Sequence, residues 1–216
     1  MRKYALCFLL CMSFVANLCA QSDKFIPKMG FMYEFFTLTP EDTTYQQIIA
    51  NSNNGSAQVL VPYYTFMIGT YYMLAHKNDI VSVGVDGAFQ GGINFRGGGI
   101  SYQLQVPLFV MGRLGSGSTT YNQQKIGLGL GLGAQTSYLN EKRPFVYNTE
   151  GAKKILGFIS SGIIEATIRQ GGGHLTGRVH FPLMLQKTKI TELNNPIAKS
   201  DYWRLGNFGF GLIYGF

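Results

Sequence analysis

Lys125-Ile126-Gly127-Leu128-Gly129-Leu130-Gly131-Leu132-Gly133-Ala134-Gln135-Thr136-Ser137-Tyr138 alternates with a period of two. Ile126, Leu128, Leu130, Leu132 and Ala134 fall on one side; Gly127, Gly129, Gly131, Gly133 and Gln135 fall on the other. Successive side chains of a strand point to opposite faces. The stretch therefore reads as a strand with one aliphatic face and one vacant or polar face.

The same rule holds on both sides of it. In His174–Thr188, Leu175, Val179, Phe181, Leu183 and Leu185 alternate with His174, Thr176, Arg178, His180 and Gln186. At the end of the chain, Phe208, Phe210, Leu212, Tyr214 and Phe216 stand opposite Asn207, Gly209, Gly211, Ile213 and Gly215. Residues 28–37, 63–75, 80–90, 100–114 and 154–170 follow the rule less cleanly, which gives eight segments in all. Strands of about ten or more residues suit a tilted crossing of a bilayer, and soluble sheets usually use about five or six. After residue 20 no apolar run is long enough for a membrane helix.

The gaps add a second signal. Pro40–Pro62, Asn140–Lys153 and Lys189–Ser200 are long, while His76–Asp79 and Gly171–Gly173 are tight. Gly91–Gly99 and Gly115–Asn122 are close in length and are the weakest part of the rhythm. Longer loops alternating with shorter turns are what an even-stranded membrane barrel requires when its N-terminus is periplasmic.

Residues 1–20 read as an export signal. Arg2 and Lys3 precede the uncharged, mostly apolar stretch Tyr4–Ala16, and Leu18-Cys19-Ala20 leads to a cut between Ala20 and Gln21. Lipidation at Cys19 is the alternative, disfavoured by Leu18 at a position where a small residue is usual. Cys7, Cys11 and Cys19 are the three cysteines, so residues 21–216 hold none. That excludes a disulfide framework, a thiolate metal site and a thiol nucleophile. The formal charge of +7 falls to +5 when Arg2 and Lys3 leave. The basic residues are scattered, which argues against nucleic acid. Charged residues are only 13% of the chain, against roughly 25% in ordinary soluble domains.

The reading is all-β: an eight-stranded antiparallel up-and-down transmembrane β-barrel at 21–216, preceded by a cleavable signal peptide at 1–20. A soluble up-and-down barrel of the lipocalin kind also has eight strands, with apolar residues inside. Here the polar residues share the glycine face, and no amphipathic helix is long enough to cover the greasy one.

A terminal Phe216 with Tyr214, Leu212, Phe210 and Phe208 at every second position before it resembles the C-terminal signal of outer-membrane barrels. Ile100–Leu108, Ile126–Tyr138 and Trp203–Phe216 make the chain resemble, mainly in its second half, porin-family outer-membrane proteins of the small OmpX/OmpA-like kind. The resemblance implies an integral outer-membrane location, contact with outer-membrane lipid and delivery to the barrel-assembly machinery. It also raises a lipid-modifying enzyme, since some eight-stranded barrels use a His with a Ser or carboxylate near the outer rim.

Strand phase turns Glu34, Asp86, Arg113, Lys125, Glu165, Arg169, Arg178, His174 and His180 inward. Charges of both signs in a low-dielectric lumen must pair, so they read as a polar network that fills the bore. His180 lies mid-strand, with Ser161 and Glu165 on the neighbouring strand as a conceivable nucleophile and carboxylate. No motif of such enzymes surrounds it. His76 and His174 fall at periplasmic turns. The glycine stripes give room for bulky inward groups such as Met67, Tyr71, Phe109 and Trp203, or else space for a narrow pore. No spaced ligand cluster for a metal and no phosphate loop is present, and no cofactor is implied. Tyr45, Asn51–Asn54, Arg143–Tyr147 and Asn194–Pro196 sit in outer loops that could touch surface polysaccharide or a protein partner. The first functional reading is a non-enzymatic barrel with a structural or contact role. A passive channel or apolar-solute conduit, a subunit of a secretion or attachment complex, and a lipid-modifying enzyme stand beside it.

Overall fold

A computed structural model describes residues 23–52, 54–95, 99–141, 153–191 and 202–216. The export segment with its Ala20–Gln21 cut, and the loop residues Arg143–Tyr147 and Asn194–Pro196, lie outside the described residues. The strands are β1 (Phe25–Pro40), β2 (Val59–Lys77), β3 (Val81–Asn94), β4 (Ser101–Gly115), β5 (Ile126–Glu141), β6 (Lys153–Gln170), β7 (Gly173–Pro182), β8 (Gln186–Thr191) and β9 (Tyr202–Gly215). One helix, α1 (Thr43–Ser52), lies between β1 and β2.

All the ladders are antiparallel, and neighbours in sequence pair from β1 to β7. β9 pairs with β1 from Lys28↔Gly215 to Pro40↔Trp203, which closes the sheet and leaves no edge. β7 and β8 both lie between β6 and β9. They are one stave interrupted at Leu183–Leu185, so the nine strands among the described residues make eight staves. Pro182 cannot donate to the ladder, which is where the stave breaks. From Ser161↔Pro182 to Lys154↔Thr191, β6 advances seven residues and its partner advances nine. An insertion of two keeps the side-chain phase, so Thr188 and Ile190 are buried like Arg178 and His180 before them.

The aliphatic and aromatic rows face outward. Phe31 is 71% exposed and Ile126 70%, and Leu128, Leu130, Leu132, Phe158, Phe210 and Leu212 continue the apolar wall. The opposite rows are buried in the bore. A closed sheet with a greasy exterior and a polar interior is a transmembrane β-barrel. Among the described residues no helix is long and apolar enough to cross a membrane.

The strands run further than the alternation predicts, and the loop rhythm is correspondingly different. β3 continues to Asn94, so Gly91–Asn94 is strand rather than loop. The expected short turn after Gly115 extends to Lys125, where β5 begins at Ile126. At that place the turn outgrows the loop it should be shorter than, because it folds back into the barrel mouth. Gly115 and Gly117 have φ of 75° and 79°, a left-handed backbone that glycine permits. Ser116, Ser118, Thr119 and Asn122 are buried. Ser118 Oγ donates to Asp79 O at 2.9 Å, and Asn122 Nδ2 donates to the same carbonyl. The turn between β2 and β3 is tight as expected, with Asn78 and Asp79 at φ of 52° and 54°. Two consecutive left-handed residues match the right-handed twist of a hairpin.

Candidate functional site: the filled lumen

The bore is filled in layers. We call the end where β1 starts and β9 finishes the terminal end, and the opposite one, which carries α1, the loop end. In the terminal half lies a charged network from five staves. Asp86 Oδ2 accepts from Lys28 Nζ, from Arg113 Nη2 at 3.2 Å and from Arg178 Nη2 at 2.9 Å. Glu165 accepts from Arg113 Nε at 3.0 Å and from Arg178 Nε at 2.8 Å. All five side chains are buried. Three cations thus face two carboxylates in a medium where each charge demands a partner. The Tyr71 ring lies 4.1 Å under the Arg113 guanidinium, and Tyr71 Oη bonds Ser82 Oγ at 3.0 Å. Beneath the network, Ser116 Oγ meets His174 Nδ1 at 3.0 Å and closes the mouth. A cavity of about 20 Å³ lined by Lys28, Arg113, Glu165 and His174 has room for one water.

The middle layer is built on Glu34. Its Oε2 accepts from Thr65 Oγ1 at 2.7 Å, from Gln105 Nε2 at 2.7 Å and from Gln103 Nε2. His180 Nε2 stands 3.6 Å from Glu34 Oε1. Asn207 Nδ2 donates to Gln105 Oε1 at 3.2 Å.

The loop-end layer is apolar. Phe36, Leu38, Val61, Tyr63, Leu139, Ile155, Ile159, Ile190, Trp203 and Leu205 cluster inside the wall, and Tyr45 and Ile49 of α1 enter from above. The helix forms there because Asp42 caps it: Thr44 N and Tyr45 N donate to Asp42 Oδ1 at 2.8 and 3.3 Å. Tyr45 and Ile49 are four apart and share a face. The helix ends on left-handed Asn54 and Gly55, with Gly55 N donating to Ala50 O at 2.8 Å. Tyr45 is 1% exposed, with its ring 6.0 Å from Trp203. This corrects its expected place as an outer contact residue. Its apolar ring is drawn under the loop by the greasy inner wall, while Asn51 and Asn54 stay exposed.

Glu34, Asp86, Arg113, Glu165, Arg178 and His180 project into the lumen, and the first five enter the two hydrogen-bonded layers. Lys125 and Arg169 do not. Both are exposed at the terminal rim, Lys125 in the turn before β5 and Arg169 with its Nη1 on Asn122 O at 3.1 Å. Phase does not tell where the bore ends, and a rim side chain can bend back to solvent. Lys28 was missed. It shares the phase of Gly30 and Glu34, so the alternation of residues 28–37 already places it on the inward face.

The conceived nucleophile set does not assemble. Glu165 is held by two arginines, His180 faces Glu34, and Ser161 Oγ has no hydrogen-bond partner among the described residues. The glycine rows sit under bulky groups. A Cβ on Gly84 would come within 2.7 Å of the Tyr71 ring, on Gly131 within 2.8 Å of Met111, and on Gly209 within 2.6 Å of His180. Met67, Tyr71, Phe109 and Trp203 are all buried. Among the described residues no group of three His, Asp or Glu side chains is set to hold a metal. Phe208, Phe210, Leu212, Tyr214 and Phe216 lie along the closing edge, with Phe208, Phe210, Leu212 and Phe216 exposed on the outer wall.

No protein-family model and no curated protein sequence matches the chain. Among solved structures it is similar to the outer membrane protein OprG from Pseudomonas aeruginosa, with 14% identity, 91% of this chain and 98% of that one covered, and a TM-score of 0.47. It is also similar to Ail, the attachment invasion locus protein of Yersinia pestis, with 10% identity, coverage of 89% and 97%, and a TM-score of 0.47. Neisserial surface protein A gives 8% identity, coverage of 87% and 95%, and a TM-score of 0.45. These likenesses assign no activity to this chain.

Proposed function

We propose that this transmembrane barrel is an integral protein of a Gram-negative outer membrane, with a structural or contact role at its loop end. It neither conducts nor catalyses. The observation that carries this reading is the lumen, blocked in series by a buried turn, two polar layers and an apolar plug. Any solute would have to displace Arg178, Tyr71, Met111 and Trp203, which are wholly buried. The reading also takes Phe208, Phe210, Leu212, Tyr214 and Phe216 as the row presented to the assembly machinery, and residues 1–20 as the segment removed on export.

Single-channel recording in planar bilayers tests it. The refolded barrel should add no conductance steps at any voltage that the bilayer survives. Reproducible steps from the folded monomer would reject the sealed-lumen reading in favour of a channel. Mass spectrometry of lipid A from cells with and without the protein tests the catalytic alternative, and the spectra should coincide.

A further inference from the structure

The charged layer of the lumen does not balance. Lys28, Arg113 and Arg178 bring three positive charges against Asp86 and Glu165, and all five side chains are buried. Among the described residues, every ion pair of these three cations is with one of those two carboxylates. Glu34, one layer away, is taken up by Thr65, Gln103 and Gln105. Residues 1–22, which precede β1 at the terminal end, include no Asp or Glu. One buried positive charge is therefore left over, and such a charge is costly without a counter-ion.

The surplus lies beside the cavity of about 20 Å³, whose wall carries Lys28, Arg113 and Glu165 but neither Asp86 nor Arg178. The wall is thus itself net positive. Glu165 is committed to the two guanidinium groups that bind it. Lys28 is not so committed. Its ammonium has three N–H donors, and among the described residues it donates only to Asp86. Its inward neighbours across both ladders are Gly69 and Gly215, so no side chain flanks it there. Thr167 and Thr176 also line the cavity, with their Oγ1 atoms 3.0 Å apart. One hydroxyl donates to the other, which leaves the second free to turn its hydrogen into the space. His174, on the same wall, bonds Ser116 at the mouth and shuts the cavity off from bulk solvent.

We infer that this cavity is a binding site for one chloride ion, held by the Lys28 ammonium and the Thr167–Thr176 hydroxyl pair. The space suits a single particle of about the size of water, and the wall selects its charge. A water molecule would leave the third cation uncompensated, and a metal cation would add to the surplus. Sulfate and phosphate are too large. A chloride makes the layer three against three and accepts from donors that have no other use.

The inference is independent of any role at the loop end. Wild-type, Lys28→Met and Thr167→Val/Thr176→Val barrels are refolded into uncharged lipid vesicles, each checked by heat-shifted gel mobility. Urea unfolding is then followed by Trp203 fluorescence in sodium chloride and in sodium gluconate, whose anion is too large for the cavity. Above the dissociation constant, each tenfold rise in chloride should raise the wild-type folded-to-unfolded ratio by about tenfold beyond the effect of gluconate. Lys28→Met should respond alike to the two salts. The double valine variant keeps the shape and the ammonium, and should bind chloride at least about tenfold more weakly for want of a hydrogen bond to a charged group. Equal responses of the wild type to both salts, or a wild-type chloride response in Lys28→Met, overturn the site, and an undiminished response in the double variant overturns the part given to the hydroxyls. A wild-type crystal grown in bromide carries the test should a variant misfold. It should give an anomalous peak within hydrogen-bond distance of Lys28 Nζ, and a crystal without that peak overturns the site.

Discussion

The lumenal network predicts an asymmetry between two of its partners. Asp86 Oδ2 is shared by Lys28, Arg113 and Arg178. Asp86→Asn keeps the shape and removes one of two negative charges, so three buried cations would face Glu165 alone. Removing one member of a buried ionic set typically costs about 3–5 kcal/mol, because the charges left behind cannot be rehydrated. Lys28 is the surplus cation. Lys28→Met leaves Arg113 and Arg178 against Asp86 and Glu165, two against two, with a side chain of similar length. Replacing a buried charge by an apolar group of like volume is often neutral or better, so the expected cost is below about 1 kcal/mol. Urea unfolding of the barrel in lipid vesicles measures both, and the single tryptophan, Trp203, reports from inside the plug. The double variant should recover at least about 1 kcal/mol relative to the sum of the singles. Lys28→Met as costly as Asp86→Asn, or Asp86→Asn costing under about 1 kcal/mol, would refute the charge count.

Gly133→Ala should destabilise the barrel by about 1–3 kcal/mol, since its Cβ would run into Leu108 O and sit 2.6 Å from Phe109 Cα. Gly112→Ala, with open space around the added methyl, should stay within about 0.5 kcal/mol in the same urea titration. Ile49→Ala should cost the docking of α1 about 2–5 kcal/mol, read as faster proteolysis within Thr43–Ser52 while the barrel stays resistant. The hydrogen bond from Lys187 holds the Glu41 carboxyl below the ordinary glutamate range. A group whose folded value is lowered stabilises above its unfolded value and loses that contribution as pH falls through the folded one. Cleavage near Glu41 should therefore accelerate on acidification below the usual glutamate range, and Glu41→Gln should flatten that dependence.

Much of the wall was legible because alternation is a direct image of the pleat. Glu34, Asp86, Arg113, Glu165 and Arg178 sit mid-strand, where phase alone decides which way a side chain points. Lys125 and Arg169 share that phase at strand ends, and periodicity carries no information about where the bore stops. The loop-end plug was hidden for a different reason. Phe36, Leu38, Trp203 and Leu205 are apolar and face inward, while Thr37, Thr39 and Arg204 between them face out. The apolar face changes sides at that height, so the rule of greasy out and polar in misreads it, and the polar composition of Pro40–Pro62 reads as loop. Only the Asp42 cap and the spacing of Tyr45 and Ile49 mark the helix, and one turn and a half of pattern is a weak signal. The break at Pro182 left no trace in the alternation because an insertion of two residues preserves phase.

Glycine and charge, two separate oddities of this composition, are one phenomenon in the structure. Eight staves fix the bore, so its contents must sum to a set volume at each height. Two arginines, a lysine, Tyr71, Phe109 and Met111 project into the same half of the barrel. They fit only if other inward positions are vacated. Gly84 lies under Tyr71, Gly131 under Met111, Gly133 under Phe109, and Gly129 beside Glu165. The glycine stripe is therefore the complement of the charged network rather than the wall of a pore. It follows that shortening one lumenal side chain opens a local void at one layer, while the turn below and the plug above still close the path. A conducting variant would need at least one breach in every layer, and breaching the charged layer strands buried charges. The same packing that keeps the lumen shut makes a single-substitution route to a channel energetically remote.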